Sequence, residues 1–364
     1  MAWTATSARY YAAHPPAEDR AGAARVVRRP IGVVTAITPW NTPLITPAWK
    51  WLPALVAGNA VLWKPSERAT AIALAARAHV HAAGVPEAVL QVLPGDATTA
   101  QALAAHERLG AIHFTGSEAA GRALARLAAP RLARVALELS GVNPAIVLAD
   151  ADLELAADCI VACGTALAGQ KCSATRRVLV AASAAGELTA LLAERIEPLR
   201  VGDPRDPATD VGPLIGPKAR AAAEAEVGRA LEAGAQLLAR ADAPAGDTLF
   251  GRVLLGGLAE GDPLRERELF APVLSLDAFG TPDEAWRLAN AVPYGLSAAV
   301  YGRDPVVLAE AAATVRAGVL AINRRGDDVA LEAPFGGRGR SGNGQAEGGE
   351  YVYGALTDLQ AVYS

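Results

Sequence analysis

Between residues 31 and 148, short apolar β-branched runs alternate with Ala-rich stretches, and this alternation limits the fold more than any other feature. Residues 31–37 (Ile-Gly-Val-Val-Thr-Ala-Ile) show no polar alternation, so they read as a strand buried on both faces, the pattern of a parallel sheet. The run stops at Thr38-Pro39-Trp40-Asn41-Thr42-Pro43, and a helix over residues 48–57 follows, ended by Gly58-Asn59. Residues 60–63 give a second buried strand, stopped by Lys64-Pro65-Ser66-Glu67, and a long helix over residues 70–83 comes next. Residues 89–92, 109–114, 135–139 and 145–148 read as further strands, with helices over residues 98–107 and 121–127. Strands alternating with helices imply a doubly wound parallel α/β sheet. Ligands of such sheets bind beyond the carboxyl ends of the strands. Trp40-Asn41, Lys64-Ser66-Glu67 and Thr115-Gly116-Ser117 all lie at such ends, which points to one ligand crevice.

A second block follows. A helix from about Asp152 to Leu167 leads into Ala166-Leu-Ala-Gly-Gln-Lys-Cys172-Ser-Ala-Thr-Arg-Arg-Val178. Cys172 lies at the seam between that helix and a β-rich run over residues 177–182, and Gly169, Ser173 and Ala174 leave room around it. That is how a nucleophilic thiol is presented; the alternative is a small buried hydrophobe. Helices over residues 190–196, 219–233 and 283–290 and strands over residues 298–301 and 318–322 complete the block. Glycine is dense over residues 334–349, so regular structure is not expected there. The tail, residues 351–363, has the character of an edge strand that invites a partner subunit. Residues 1–30 are mixed in composition and read as an exposed or partner-covered segment.

The 364 residues suggest two domains. A hydrophobic share of 52% with 20% charged residues excludes a disordered chain. The net charge of −4, with both signs interspersed, gives no basis for a nucleic-acid or anionic-membrane partner. Three cysteines make no disulfide framework, so a reducing, cytoplasmic setting is the expectation. No secretory leader and no membrane span is visible. Cys159 and Cys163 are spaced for one helix face but lack partners to complete a metal site, so no metal is expected. His14, His79, His81, His106 and His113 are scattered, mostly at surface-helix positions, and carry no assigned role.

Several motifs together resemble the aldehyde dehydrogenase superfamily, over residues 10–363: Pro39-Trp40-Asn41, Trp63-Lys64-Pro65-Ser66-Glu67, Phe114-Thr115-Gly116-Ser117, Leu137-Glu138-Leu139-Ser140-Gly141-Val142-Asn143-Pro144, Gly169-Gln170-Lys171-Cys172, Glu268-Leu269-Phe270-Ala271-Pro272 and Pro334-Phe335-Gly336-Gly337. Ser341-Gly342-Asn343-Gly344 is most similar to the vanillin and benzaldehyde dehydrogenase branch. The resemblance implies a Rossmann-type NAD-binding domain over residues 31–140, an α/β catalytic domain over residues 141–336, and small oligomerisation elements in residues 1–30 and 337–364. It also implies an NAD(P)-dependent enzyme, working as a homodimer or tetramer, that turns a small-molecule aldehyde, bulky or aromatic ones included, into a carboxylic acid. Aldehyde carbon releases hydride readily only from a tetrahedral adduct, and the resemblance makes Cys172 the nucleophile that forms it. The Asn41 amide and the Cys172 N–H would receive the alkoxide, and Glu138 would be the base that activates water on the thioester. Leu137 and Leu139 give Glu138 an apolar setting that raises a carboxyl toward a useful base.

For the cofactor, Lys64 and Glu67 would bond the adenine ribose, and the Glu67 carboxylate disfavours a 2′-phosphate, so NAD is expected ahead of NADP. Gly116 and Ser117 would face the pyrophosphate at a helix N-terminus. Trp40 and Leu139 would wall the cleft, and Glu268 and Phe270 would grip the nicotinamide ribose and ring. Thr42, Trp49 and Lys171 would line the substrate pocket. Ser140, Val142 and Ala271 depart from the usual Gly, Lys and Gly, and the stretch ahead of Pro39 is short for the family, which implies an open substrate entrance. Two other readings stand beside the main one. One is a weakly active or inactive homologue serving as a scaffold. The other is an acylating enzyme that passes its thioester to coenzyme A, against which the retained Glu138 argues.

Overall fold

The computed structural model describes residues 2–363. Its described residues divide into two compact units, one made of residues 2–139, 330–336 and 342–363, the other of residues 140–329 and 337–341.

The first unit opens with helix α1 (Ala2–Ala13) and strands β1 (Asp19–Ala21) and β2 (Ala24–Pro30). A five-stranded parallel sheet of order β5-β4-β3-β6-β7 follows, from β3 (Val33–Thr38), β4 (Ala60–Pro65), β5 (Leu90–Val92), β6 (Ala111–Thr115) and β7 (Arg134–Glu138). Helices α2 (Ile45–Val56), α3 (Thr70–Ala82), α4 (Ala97–Ala105) and α5 (Glu118–Ala128) connect successive strands. The apolar runs predicted as strands are these strands, and β3 sits at the centre because its side chains are apolar to both sides. Thr38 pairs with Pro65 and Ile37 with Phe114, so β3, β4 and β6 end side by side.

Residues 1–30 correct the sequence expectation. The segment is not merely an exposed flank, because α1 buries Ser7 and Tyr11 and sets the Tyr11 ring edge-on to Tyr353, 6.3 Å between centroids. Among the histidines, His113 departs from the surface pattern: it lies on β6 with no exposed area.

The second unit holds a seven-stranded sheet of order β10-β11-β12-β9-β8-β14-β15. Its strands are β8 (Asn143–Val147), β9 (Thr175–Ala181), β10 (Gln236–Arg240), β11 (Val253–Gly256), β12 (Val273–Phe279), β14 (Ser297–Tyr301) and β15 (Val319–Ile322), while β13 (Tyr294–Gly295) pairs with β16 (Arg338–Gly339). All neighbours in the large sheet run parallel except β10 with β11. The strand near Ala145 therefore belongs to this sheet, not to the first one with which the alternation grouped it, and β10 and β11 were not anticipated. Helix α6 (Leu153–Thr165) packs Ala156, Ala157, Ile160 and Val161 into the unit's core with Val178 and Val180 of β9.

The last strand, β17 (Thr357–Tyr363), runs antiparallel to β2 and completes a three-stranded sheet β1-β2-β17 in the first unit. The tail is thus a strand, as its composition suggests, and its mate is the chain's own β2. Among the described residues no helix is long and apolar enough to cross a membrane.

Candidate active site

In the second unit the chain reverses just before Cys172. Helix α6 ends at Thr165, and Leu167, Ala168 and Gly169 then take left-handed conformations in succession (φ 53°, 53° and 70°). Two non-glycine residues in that region store strain, which the surroundings must hold. They do so through backbone carbonyls. Arg176, buried, donates from Nη1 to the Ala271 oxygen at 2.6 Å and from Nη2 to the Gly169 oxygen. The Gln170 amide donates to the Leu167 oxygen at 3.0 Å and the Pro213 oxygen at 3.2 Å, and accepts from the Ile215 N–H at 2.7 Å. Gly169 is required here: a Cβ would lie 2.6 Å from the Ala271 carbonyl.

The cysteine itself is half-buried. Asn143, buried at the start of β8, donates from Nδ2 to the Cys172 and Ala174 oxygens, both at 2.8 Å, and accepts from the Ser297 N–H at 3.1 Å. With both carbonyls held, the turn has little freedom around the thiol. Gly141 lets the backbone pass close by, since a Cβ there would stand 2.5 Å from the Cys172 oxygen. Glu268 accepts from the Gly141 N–H at 3.3 Å, which brings it into this neighbourhood. Burial pushes the Glu268 carboxyl up, and the positive charge of Arg176 offsets part of the rise. Phe270 has a left-handed backbone (φ 55°), and its ring lies 5.9 Å from the Arg176 guanidinium carbon, a cation–π contact. Lys171 donates to Asp327 at 2.7 Å.

In the first unit the expected cofactor residues gather at the sheet's carboxyl edge. Lys64, buried at the end of β4, has its ammonium 3.9 Å from the exposed Glu67 carboxylate. Ser117 caps α5 by accepting from the Ala120 N–H at 3.4 Å, and it is exposed. Gly116 donates to the Glu138 carbonyl at 3.0 Å, which ties the β6 and β7 ends together. At Gly121 a Cβ would lie 2.6 Å from a Leu139 methyl, so this glycine seats α5 on the strand end. Trp40, Asn41 and Thr42 are half-buried in the turn after β3. The Glu138 side chain is 3% exposed, and its Oε1 would be 3.2 Å from a Cβ at Gly336. Trp49, expected in the pocket, is mostly buried, with Trp3 at 5.1 Å and Phe335 at 5.5 Å from its ring.

This edge fits a dinucleotide. Three adjacent parallel strands end together, a serine-capped helix starts just past one of them, β6, and an ammonium–carboxylate pair stands at the end of another, β4. Within the second unit the structure brings together Cys172, Lys171, Glu268 and Phe270; within the first, Lys64 with Glu67 and Gly116 with Ser117, Glu138 and Leu139. Sequence reasoning gave no role to Asn143, Gln170 or Arg176. The first two lie inside the motifs already quoted, so the signal was present, while Arg176 carried none.

The family model described as "Aldehyde dehydrogenase family" matches residues 1–362. The chain is 37% identical over 328 residues to (Z)-2-((N-methylformamido)methylene)-5-hydroxybutyrolactone dehydrogenase of Acinetobacter baylyi, covering 89% of this chain and 67% of that protein. It is 38% identical over 337 residues to benzaldehyde dehydrogenase [NAD(+)] of Pseudomonas putida, covering 92% of this chain and 69% of that protein. Among solved structures, a mutant of aldehyde dehydrogenase C from Pseudomonas syringae, in complex with NAD+ and octanal, aligns with a TM-score of 0.93 at 33% identity, covering 100% of this chain and 75% of that one. The chain thus spans roughly two thirds to three quarters of the length of these relatives.

Proposed function

Because the chain belongs to the aldehyde dehydrogenase family of NAD(P)-dependent oxidoreductases, we propose that it oxidises an aldehyde to a carboxylic acid through a covalent adduct on Cys172. The observation that carries this reading is the turn holding Cys172: a half-buried thiol on a strained reversal, with its carbonyl fixed by Asn143 and the segment before it fixed by Arg176. A turn held this tightly keeps the sulfur placed before substrate arrives, and such preorganisation lowers the barrier to attack.

In this reading the Cys172 thiolate adds to the carbonyl carbon and the π electrons move to oxygen. The Cys172 N–H and the Asn41 amide are the donors assigned to that oxygen. A bound oxidised nicotinamide supplies the hydride acceptor. Oxidation leaves a thioester on Cys172. Glu138 then takes a proton from water, the hydroxide adds to the thioester, and the carboxylic acid leaves as the thiolate is restored. The near-complete burial of Glu138 supports a role inside the site rather than that of a solvated surface carboxylate.

Lys64, Glu67, Gly116 and Ser117 would hold the adenosine and pyrophosphate, with Trp40 and Leu139 as walls, and Glu268 and Phe270 would hold the nicotinamide half. The exposed Glu67 carboxylate beside Lys64 supports NAD as the preferred cofactor. Thr42, Trp49 and Lys171 are assigned to the aldehyde, and the tail's likeness to the benzaldehyde branch supports aromatic substrates. Three free cysteines fit a reducing cytoplasm. The three-stranded sheet supports self-association, because β17 leaves Leu359 and Tyr363 exposed (64% and 76%).

The test is NADH formation across a panel of aliphatic and aromatic aldehydes, with wild type beside Cys172→Ala. Turnover in the wild type and none in the variant is the expected result. No turnover with any aldehyde and no NAD binding would favour the scaffold reading instead.

A further inference from the structure

Next to Cys172 stands a charge cluster of Lys171, already assigned to the aldehyde pocket, with Asp327 and Arg325, to which the proposed reaction gives no role. The Lys171 ammonium donates to Oδ2 of Asp327 at 2.7 Å and to the Asp327 backbone oxygen at 3.4 Å. Arg325 forks onto the same carboxylate, Nε to Oδ1 at 2.8 Å and Nη2 to Oδ2 at 2.9 Å. Asp327 is closed off, with a side chain 2% exposed, whereas Lys171 and Arg325 are 27% and 42% exposed. Burial by itself would raise the Asp327 carboxyl, but the Arg325 hydrogen bond and the Lys171 charge more than offset it and hold the group below its ordinary value. It is therefore ionised at neutral pH, and the three groups sum to one excess positive charge.

The donor count points the same way. An ammonium has three N–H groups and a guanidinium five, and two on each are committed to Asp327. The remaining N–H groups belong to side chains that are partly exposed, while the Asp327 carboxylate is enclosed. Such a surface offers donors to an anion and offers a cation nothing. Arg325 also lines a groove of about 520 Å³ together with Thr165, Ala166 and Leu167, the residues that run into the cysteine turn. Farther along that groove Arg195 is already taken by Asp158, at 2.5 Å, and by Glu154. The lining also carries Asp210, and Arg325 is the cation of the groove that is not paired with one of the groove's own carboxylates.

We propose that Lys171 and Arg325, held by Asp327, select aldehydes that carry a carboxylate a short chain away from the carbonyl. The proposal rests on the aldehyde-oxidising reading above and adds a substrate class to it. It also assigns Asp327 a positioning role: the buried carboxylate fixes both donors, so less side-chain freedom is lost when an anionic substrate arrives.

The experiment compares kcat/KM for 4-oxobutanoate and butanal with saturating NAD on the full chain. The wild type is expected to favour 4-oxobutanoate by about tenfold or more, the scale of one charge-assisted hydrogen bond. Lys171→Met should lower that ratio by about tenfold whatever it does to butanal alone, and Lys171→Arg should restore most of it. If Lys171→Met is inactive on both aldehydes, ionic strength decides. Added sodium chloride must shrink the wild-type ratio, because part of the attraction is screened. A wild-type ratio of one or below, a ratio unmoved by Lys171→Met, or a ratio indifferent to salt overturns the proposal. Butanal separates the two levels: if it is oxidised without any preference for the carboxylate, only the specificity proposal fails. If neither aldehyde is oxidised, the specificity proposal fails as well, and the wider aldehyde panel with NAD binding decides the parent reading.

Discussion

Lys50 and Glu347 form an ion pair inside the first unit, with side chains 0% and 2% exposed. Their stability effect can be worked out from that burial. Replacing Lys50 with Met keeps most of the side-chain length and apolar stem, so little packing volume is lost. What changes is the partner of a buried carboxylate. Stranding one charge of a buried pair costs about 3–5 kcal/mol, because desolvation of the remaining ion is no longer offset. With a urea m-value of about 1–3 kcal/mol/M, the unfolding midpoint should fall by roughly 1–5 M. Intrinsic fluorescence suits the assay, since Trp3, Trp40, Trp49, Trp51 and Trp63 all belong to the first unit and only Trp286 to the second. Glu347→Leu should cost a similar amount. The double variant should cost less than the two singles added together, by about 2 kcal/mol or more, because no charge is then stranded. Single variants that cost under about 1 kcal/mol, or that add without coupling, would refute the reasoning.

Three further outcomes follow from the same structure. Burial, helped by the positive charge of Lys50, lowers His113 from 6.5 to about 3, so the unfolded chain takes up a proton that the folded chain refuses. Stability should therefore fall as pH drops from about 6.5 toward 3, by up to about 1.4 kcal/mol per pH unit, and His113→Leu should flatten that slope in urea titrations at several pH values. Gly169→Ala should cost at least about 2 kcal/mol and reduce kcat about tenfold or more, from a left-handed backbone plus the clash with Ala271, as read by melting and steady-state assays. Glu67→Gln should raise kcat/KM with NADP relative to NAD by roughly threefold to fivefold, the scale of one exposed charge contact; an unchanged ratio would remove Glu67 from cofactor choice.

The parallel strands were legible because β3, β4 and β6 are apolar on both faces, which only a covered parallel sheet requires. Sheet membership was not legible from the alternation, and only the resemblance set residues 141–336 apart. Asn143–Val147 follows β7 within a few residues, yet pairing with Thr175–Ala181 and Ser297–Tyr301 puts it in the other sheet. Pairing of that range is decided by which surfaces fit, not by local pattern. Helix α1 was hidden for a related reason: its Ala- and Thr-rich sequence has little amphipathic contrast, and its burial comes through Tyr11 against Tyr353, far away in sequence. The same logic divides the site. Cys172, Glu268 and Ser117 could be picked out because each lies in a compact motif. Lys50 and Glu347, 297 positions apart, and Lys171 and Asp327, 156 apart, meet only once the chain has folded. Glu347 was further obscured by the glycine-dense stretch around it, which the structure fills with only the two-residue strand β16 and isolated bridges, one of them from Phe335 to Glu347.

The central claim is that the aldehyde carbon becomes bonded to Cys172. Trypsin should release that cysteine in a short peptide, Cys172–Arg176, because Lys171 precedes it and Arg176 ends it. The direct measurement is therefore mass spectrometry of this peptide after acid-quenching a single turnover with NAD and an aldehyde. The account predicts the acyl mass on Cys172, discharged on further incubation in water, and no NADH from Cys172→Ala. Acid formation at full rate with the peptide unmodified, or undiminished turnover by Cys172→Ala, would contradict it.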